Sequence, residues 1–522
     1  MSQMLKSSGA MAAATLTSRV LGMVREMVYA AFMGNGAVAS AFVLAFQVPN
    51  LFRRLLGEGA LTAAFIPMFK QKEVKEGETE MWRSANAVIS GLAIAAGAVT
   101  VVAVLGISLA LAAGQFEDET RLMLQLLRLM FPYMLLVCLA AVFIGMANAR
   151  GHFFVPALGA VVLNLVMIAS VLFLAPRMGR RLEEQIFGLA IGVLVAGLAQ
   201  AFFQLPSLSR EGYRYEWVSP WRDPTVREVV QKMLPGSIGV AAFQINVLVT
   251  QCFSFWFGKS IVATFNYSVR LMELPQGMFG ISLATYLLPT LAGLAAAKKL
   301  PEFRQTLNQG LSYLAFANLI ASAIALTLAV PIVRLIFERG RFGPDATQRV
   351  ALTLAWLAPG LLMFSMNNIL ARAFYALNDI KTPMKISIVC LGLNLLFAVW
   401  LVQPYREAGL GVANTLSASL NLALLVYALR RKLSPLGLTG LVHTLLVLVP
   451  DAVLAGAVAA ALAWLWEQRL GHATLMLKAG VVFVPGAVAG LVYWLVALWL
   501  KVPAAREMTA LALQRFRKAT KG

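Results

Sequence analysis

Apolar runs long enough to cross a bilayer as a helix, ~20 residues each, follow one another along nearly the whole chain, separated by short polar segments. They fall near 7–33, 37–69, 85–113, 122–149, 156–175, 186–205, 229–257, 263–296, 304–337, 347–377, 383–402, 409–429, 440–465 and 475–500. Each run predicts one span, so the expected fold class is an all-α polytopic membrane protein with 14 transmembrane helices.

The first two runs contain charge where a span normally excludes it. The stretch 15-TLTSRVLGMVREMVYAAFMGNG-36 carries Arg19 and Arg25, and 48-VPNLFRRLLGEGALTAAFIPMF-69 carries Arg53 and Arg54. An Arg at the centre of a span costs about 2.5–3.5 kcal/mol on insertion scales. With the first helix starting near Lys6, Arg19 and Arg25 lie roughly 20 Å and 28 Å along it at ~1.5 Å per residue. Arg25 is then in reach of the far interface by snorkelling, whereas Arg19 is too near the middle. One reading neutralises the charges locally: Glu26 lies on the same face as Arg19, two turns on, and Glu58 follows Arg54 at i+4. That leaves Arg25 and Arg53 unpaired. The other reading is a water-filled cationic cavity between helices that receives an anion.

Composition and charge sharpen this picture. Of 522 residues, 60% are hydrophobic and 13% charged, the balance of a polytopic membrane protein. Lys and Arg number 44 against 24 Asp and Glu, a net charge of +20. Most of that excess lies in short loops between spans, so it reports topology and contact with membrane lipids rather than with nucleic acid. With a cytoplasmic N-terminus, 25 basic residues fall in cytoplasmic segments and 11 on the other side, which places both termini in the cytoplasm. The outer loop 176-PRMGRRLEE-184 runs against that trend. Cys138, Cys252 and Cys390 lie inside apolar runs and are odd in number, so they read as packing residues. The first helix reads as uncleaved.

Arg334 and Arg372 lie near the ends of their runs and are expected to snorkel. Arg270 lies deeper, in 267-YSVRLMELPQGMFG-280, with Glu273 at i+3; a structural ion pair and a ligand site are equally compatible with that spacing.

The chain repeats itself. Pro132 and Pro156, flanking 148-NARGHFFVP-156, recur as Pro359 and Pro383, flanking 375-YALNDIKTP-383, at an offset of 227. Pro49 maps to Pro275 at 226, and 188-GLAIG-192 to 409-GLGVA-413 at 221. Helices 1–6 are therefore expected to be duplicated as helices 7–12, two six-helix lobes related by a parallel repeat about an axis along the membrane normal, with the substrate site where the halves meet. The domains are then an N-lobe over 1–215, a C-lobe over 216–432, and helices 13 and 14 with a basic tail over 433–522. In this register Arg270 on helix 8 answers Arg53 and Arg54 on helix 2. Pro and Gly interruptions in those two helices are the bending points a transporter uses.

No phosphate-binding loop, HExxH, GxSxG or Cys/His cluster of metal spacing occurs, and the carboxylates inside spans, Glu58 and Glu273, each stand beside an Arg. A transporter, with no catalytic or metal site, is expected rather than an enzyme.

The segments 17-TSRVLGMVRE-26, 48-VPNLFRRLLGEGAL-61, 270-RLMELPQG-277 and 378-NDIKTP-383 together resemble the bacterial lipid II flippase family, MurJ, within the group of multidrug, oligosaccharidyl-lipid and polysaccharide exporters. The resemblance runs from the first helix to the last. It implies translocation of undecaprenyl-pyrophosphate-linked disaccharide pentapeptide from the inner to the outer leaflet of the cytoplasmic membrane, for peptidoglycan synthesis, by alternating access through a cationic central cavity. It places substrate-binding arginines at Arg19, Arg25, Arg54 and Arg270, with Arg53 beside them, and Glu26, Glu58 and Glu273 as supporting ion pairs. Its partners are lipid II, membrane lipids and other cell-wall synthesis proteins. No cofactor is implied; the cycle is open to coupling to the membrane potential, at ~2.3 kcal/mol per charge per 100 mV, or to a monovalent cation. Relatives that use sodium do so through carboxylates and polar groups on helices 7, 11 and 12, where this chain offers Gln244, Asn246, Asn394, Asn414 and Thr415. Family members also carry an acidic residue just before 41-AFVLAF-46, where this chain has Ser40. The alternative on the same fold is export of other polyprenyl-linked oligosaccharides or of small molecules.

Overall fold

The computed structural model describes residues 2–52, 61–433, 437 and 439–510, and every regular element among them is helical. The chain forms two compact units, Met1–Ala263 with Arg339–Phe342, and Thr264–Glu338 with Gly343–Gly522.

In the first unit the helices are α1 (Ser2–Met33), α2 (Ala37–Phe52), α3 (Leu61–Glu76), α4 (Glu78–Ala113), α5 (Asp118–Met130), α6 (Tyr133–Ala149), α7 (Phe154–Ala169), α8 (Leu182–Phe202), α9 (Leu205–Arg210) and α10 (Pro224–Phe257). Local chemistry sets their ends. Gly77 at φ 88° turns the chain before α4, whose first turn carries Glu78 and Glu80 against the helix dipole. The Asp223 carboxylate accepts from the Thr225 backbone N–H at 2.8 Å, and Pro224 occupies the first position of α10. Pro132 divides one apolar run into α5 and α6 at an angle of 40°. Helix α10 packs on α2, α3 and α4, so packing groups it with the first unit, whereas the repeat assigns it to the second half.

Phe65, Phe69, Met81, Trp82 and Tyr213 form one core of this unit. Beside it, Arg150 is held by Glu73, by Glu78 at 2.9 Å and by Glu211 at 3.0 Å, with its guanidinium over Trp82. His152 contacts Glu211 at 2.7 Å. The hydrogen bonds from His152 and then Arg150 hold the Glu211 carboxyl below the usual range.

The second unit continues from α11 (Ile261–Pro275) through α12 (Ser282–Ala296), α13 (Leu300–Thr327), α14 (Ala329–Phe337), α15 (Pro344–Leu357), α16 (Gly360–Ala376), α17 (Lys381–Lys432), α18 (Thr439–Arg469) and α19 (Leu475–Trp499). Between α11 and α12 the chain passes through a π-helical stretch, Gln276–Ile281, directly after Pro275. Pro359 bends α15 against α16 by 45°. The run expected over 304–337 breaks at Leu328 into α13 and α14. The runs over 383–402 and 409–429 are two helical segments of α17 separated at Arg406, which leaves the helical conformation at φ 51° and ψ −130°, within the expected gap.

Among the described residues seven helices are long and apolar enough to span a membrane, and ten when each bent pair counts once. The repeat is visible in local conformation. Pro132 and Pro359 both sit at breaks, and the turns that follow carry left-handed residues at the same offset of 227, Gly151 at φ 87° and Asn378 at φ 57°. After Asn378, Asp379 caps α17: it accepts from the Thr382 N–H at 3.0 Å and from Lys432 at 2.7 Å. Chiefly through the Lys432 bond, the Asp379 carboxyl is held down at about 2.

Candidate functional site

Arg25 is the centre of the candidate site in the first unit. Along α1 the residues from Leu16 to Val20 are largely exposed, and burial sets in around Glu26, where the helix packs on α7. There Arg25 Nη2 donates to Glu26 Oε1 at 2.6 Å and Nη1 donates to Asn164 Oδ1 at 3.0 Å. The Asn164 amide turns its other end to the Ser18 carbonyl at 3.2 Å, so one side chain orients the guanidinium and ties α7 to α1. The guanidinium lies 5.6 Å from the centre of the Tyr29 ring, and Tyr29 meets Phe42 edge-on. The Arg25 Nε–H has no hydrogen-bond partner among the described residues.

Two expectations change here. Glu26 pairs with its neighbour Arg25, not with Arg19: Arg19 stands on the exposed part of α1, whereas Glu26 is buried. Arg25 is not left unpaired. The sequence reading missed Asn164, although it is a lone amide in the apolar run 156–175, and a polar residue in such a run signals a partner across helices.

Arg270 lies in the second unit, on α11, with Nη1 donating to Glu273 at 2.9 Å. Both side chains are partly open, 32% and 49% exposed. Just beyond, Gly280 admits the close approach of Ser365, whose hydroxyl would lie 2.6 Å from any added Cβ, and Ser365 in turn donates to Asn318 Oδ1 at 3.3 Å. Arg53, Arg54 and Glu58 lie outside the described residues. Ser40 is buried, and its hydroxyl accepts from the Ala263 N–H at 3.0 Å, so at that point it serves the first turn of α11.

Neither residue expected to snorkel is simply extended to an interface. Arg334 is bound by Glu467 and lies 3.8 Å from Glu338, which also accepts from Lys478 at 3.1 Å. Arg372 donates to the Thr285 hydroxyl at 2.7 Å.

The bent helices and the buried guanidinium can be set beside known proteins. The family described as Lipid II flippase MurJ matches residues 29–481. A probable lipid II flippase MurJ of Vibrio cholerae is 33% identical over 453 residues, covering 82% of this chain and 85% of the relative. The lipid II flippase MurJ of Burkholderia cenocepacia is 33% identical over 428 residues, 80% and 82% of the two chains. A relative in Rhizobium tropici is 31% identical over 492 residues, 93% and 92%. Among solved structures, the lipid II flippase MurJ in an inward closed conformation superposes with a TM-score of 0.75 at 19% identity, over 94% of this chain and 98% of that one. An inward-facing multidrug resistance transporter of the MATE family gives 0.63 at 14% identity, over 81% and 96%. With the family match spanning most of its length and relatives above 30% identity aligned across four fifths or more of both chains, the chain belongs to the lipid II flippase MurJ family.

Proposed function

We propose that this chain carries lipid II from the inner to the outer leaflet of the cytoplasmic membrane by alternating access, with fourteen spans and both termini in the cytoplasm. The observation that carries the reading is Arg25: a guanidinium enclosed in an apolar helix, fixed by Glu26 and Asn164, with its Nε–H unpartnered among the described residues. A pyrophosphate carries about two negative charges at neutral pH, and the planar fork of an Arg matches its oxygens. Glu26 and Asn164 each occupy one N–H direction, and the remaining donors serve the phosphate.

Arg270, which answers Arg53 and Arg54 in the repeat, stands with Glu273 in a partly open pair, so the guanidinium can exchange Glu273 for a phosphate oxygen. Arg19, exposed on α1, adds positive charge near the same helix. The π-helical stretch after Pro275 and the prolines Pro49, Pro67 and Pro289 inside their helices are the points at which the spans bend between states. No bond of the substrate is made or broken. The energy for the cycle comes from the membrane potential acting on this positive charge, or from a monovalent cation.

The test is depletion in cells followed by complementation, scoring lipid II accessible on the outer leaflet. Wild type restores accessibility, whereas Arg25→Ala, at normal protein level, lowers it by at least about tenfold, the loss of one charge-assisted phosphate contact. Full restoration by Arg25→Ala sinks the binding role, and unchanged accessibility on depletion sinks the substrate.

A further inference from the structure

Helix α18 holds a carboxylate that neither the arginine sites nor the repeat uses. Its buried face is a stripe at helical spacing, Leu441, Thr444, Leu448, Ala452, Ala455, Ala459 and Ala463, and Asp451 lies in the middle of it, 3% exposed. At ~1.5 Å per residue Asp451 stands roughly 18 Å from Thr439 and 27 Å from Arg469, inside a hydrocarbon layer ~30 Å thick. The stripe packs on α13 and α19. Around Leu448 and Ala452 the cluster consists of Phe316, Leu328, Val481, Ala489 and Tyr493 with further apolar side chains.

Neither oxygen of Asp451 has a hydrogen-bond partner among the described residues. The titratable groups of the surrounding elements are already committed or remote; Arg506 and Glu507, on the segment after Val502 that joins the same cluster, are exposed. On α19, Tyr493 donates its hydroxyl to the Phe316 carbonyl at 2.9 Å, and Lys478 pairs with Glu338. On α13, Glu302 and Arg304 stand in its first turns, and Tyr313 packs on the apolar cluster. On α18 itself His443 is exposed two turns earlier, and Glu467 at the far end binds Arg334, with Arg469 beyond it. Among the described residues, an ionised carboxylate in such a place has neither a counter-charge nor a donor. A metal cation would need several converging oxygens, and no group of three or more His, Cys, Asp or Glu that could hold one occurs among the described residues. The ligand that fits is a proton.

We propose that Asp451 is a proton-binding site of the C-terminal helix pair, neutral while α18 is packed against α13 and α19 and deprotonated when that packing loosens. On release the carboxyl O–H bond breaks, the proton passes to entering water, and the carboxylate left behind is hydrated. In a membrane that sustains a proton gradient, such a site links movement of this helix to proton uptake.

The experiment uses the full chain in lipid nanodiscs. At neutral pH the infrared spectrum of wild type contains the C=O stretch of a protonated carboxyl that Asp451→Asn lacks, while Glu467→Gln, altered on the same helix, retains it. Because loosening releases the proton, the apparent unfolding constant of wild type grows with pH by up to about tenfold per unit relative to Asp451→Asn. No difference in the carboxyl band means that Asp451 is ionised and overturns the site; parallel pH dependences of wild type and Asp451→Asn overturn the link to packing. Should Asp451→Asn fail to fold, wild type carrying isotope-labelled aspartate decides the first point by the shift of the same band, and wild type alone decides the second by whether its unfolding constant depends on pH in this way.

Discussion

Arg25 and Arg270 are the same residue type at two depths of commitment. Arg25 is enclosed, 18% exposed, and held by a carboxylate on its own helix and an amide from a helix 139 residues away. Arg270 is paired within one helical turn, and the pair is partly open, 32% and 49% exposed. A buried pair is costly to break because the survivor is stranded; an exposed pair at i+3 is nearly free to exchange partners. The first site is thus built to hold a charge in one geometry, and the second to let a charge change hands.

Breaking that contrast begins with Glu26→Ala. It strands the Arg25 guanidinium and is expected to cost about 3–5 kcal/mol, read as a large fall in melting temperature and in membrane yield. Asn164→Ala keeps the ion pair but removes the orienting carbonyl, for a loss of about 1–3 kcal/mol, and it should lower transport more than stability because the fork is no longer aimed. Glu273→Gln is the smallest, within about 1 kcal/mol of wild type. A melting temperature as low for Glu273→Gln as for Glu26→Ala would erase the distinction between the sites.

Much of this was legible beforehand, for reasons that can be named. Arg25 stood out because an apolar run makes any charge conspicuous, and Pro132 and Pro359 announced their breaks because proline removes a backbone donor wherever it sits. The partner of Glu26 was misread because helical spacing treats a helix as uniformly packed, whereas α1 is exposed at Arg19 and buried at Glu26. Asn164 carries no pointer to Ser18 or Arg25; only the packing of α7 on α1 brings them together. The break at Arg406 was legible: it falls in the gap 403–408 between the runs 383–402 and 409–429, two residues after Pro404. The break at Leu328 was overlooked although Pro331 signals it, because proline lacks the N–H that would bond to the carbonyl of Thr327, the last residue of α13.

The turns at Gly151 and Asn378 bear on what a repeat of this kind would have to preserve. Glycine and asparagine are the residues that tolerate a left-handed backbone most readily, so the two positions differ in letter while both keep a positive φ. Alignment by residue identity scores that pair as a mismatch, and alignment by backbone angle scores it as kinship. Where Leu, Val, Ala and Ile interchange freely along every span, the sign of φ at a turn is the steadier mark by which two halves can be compared.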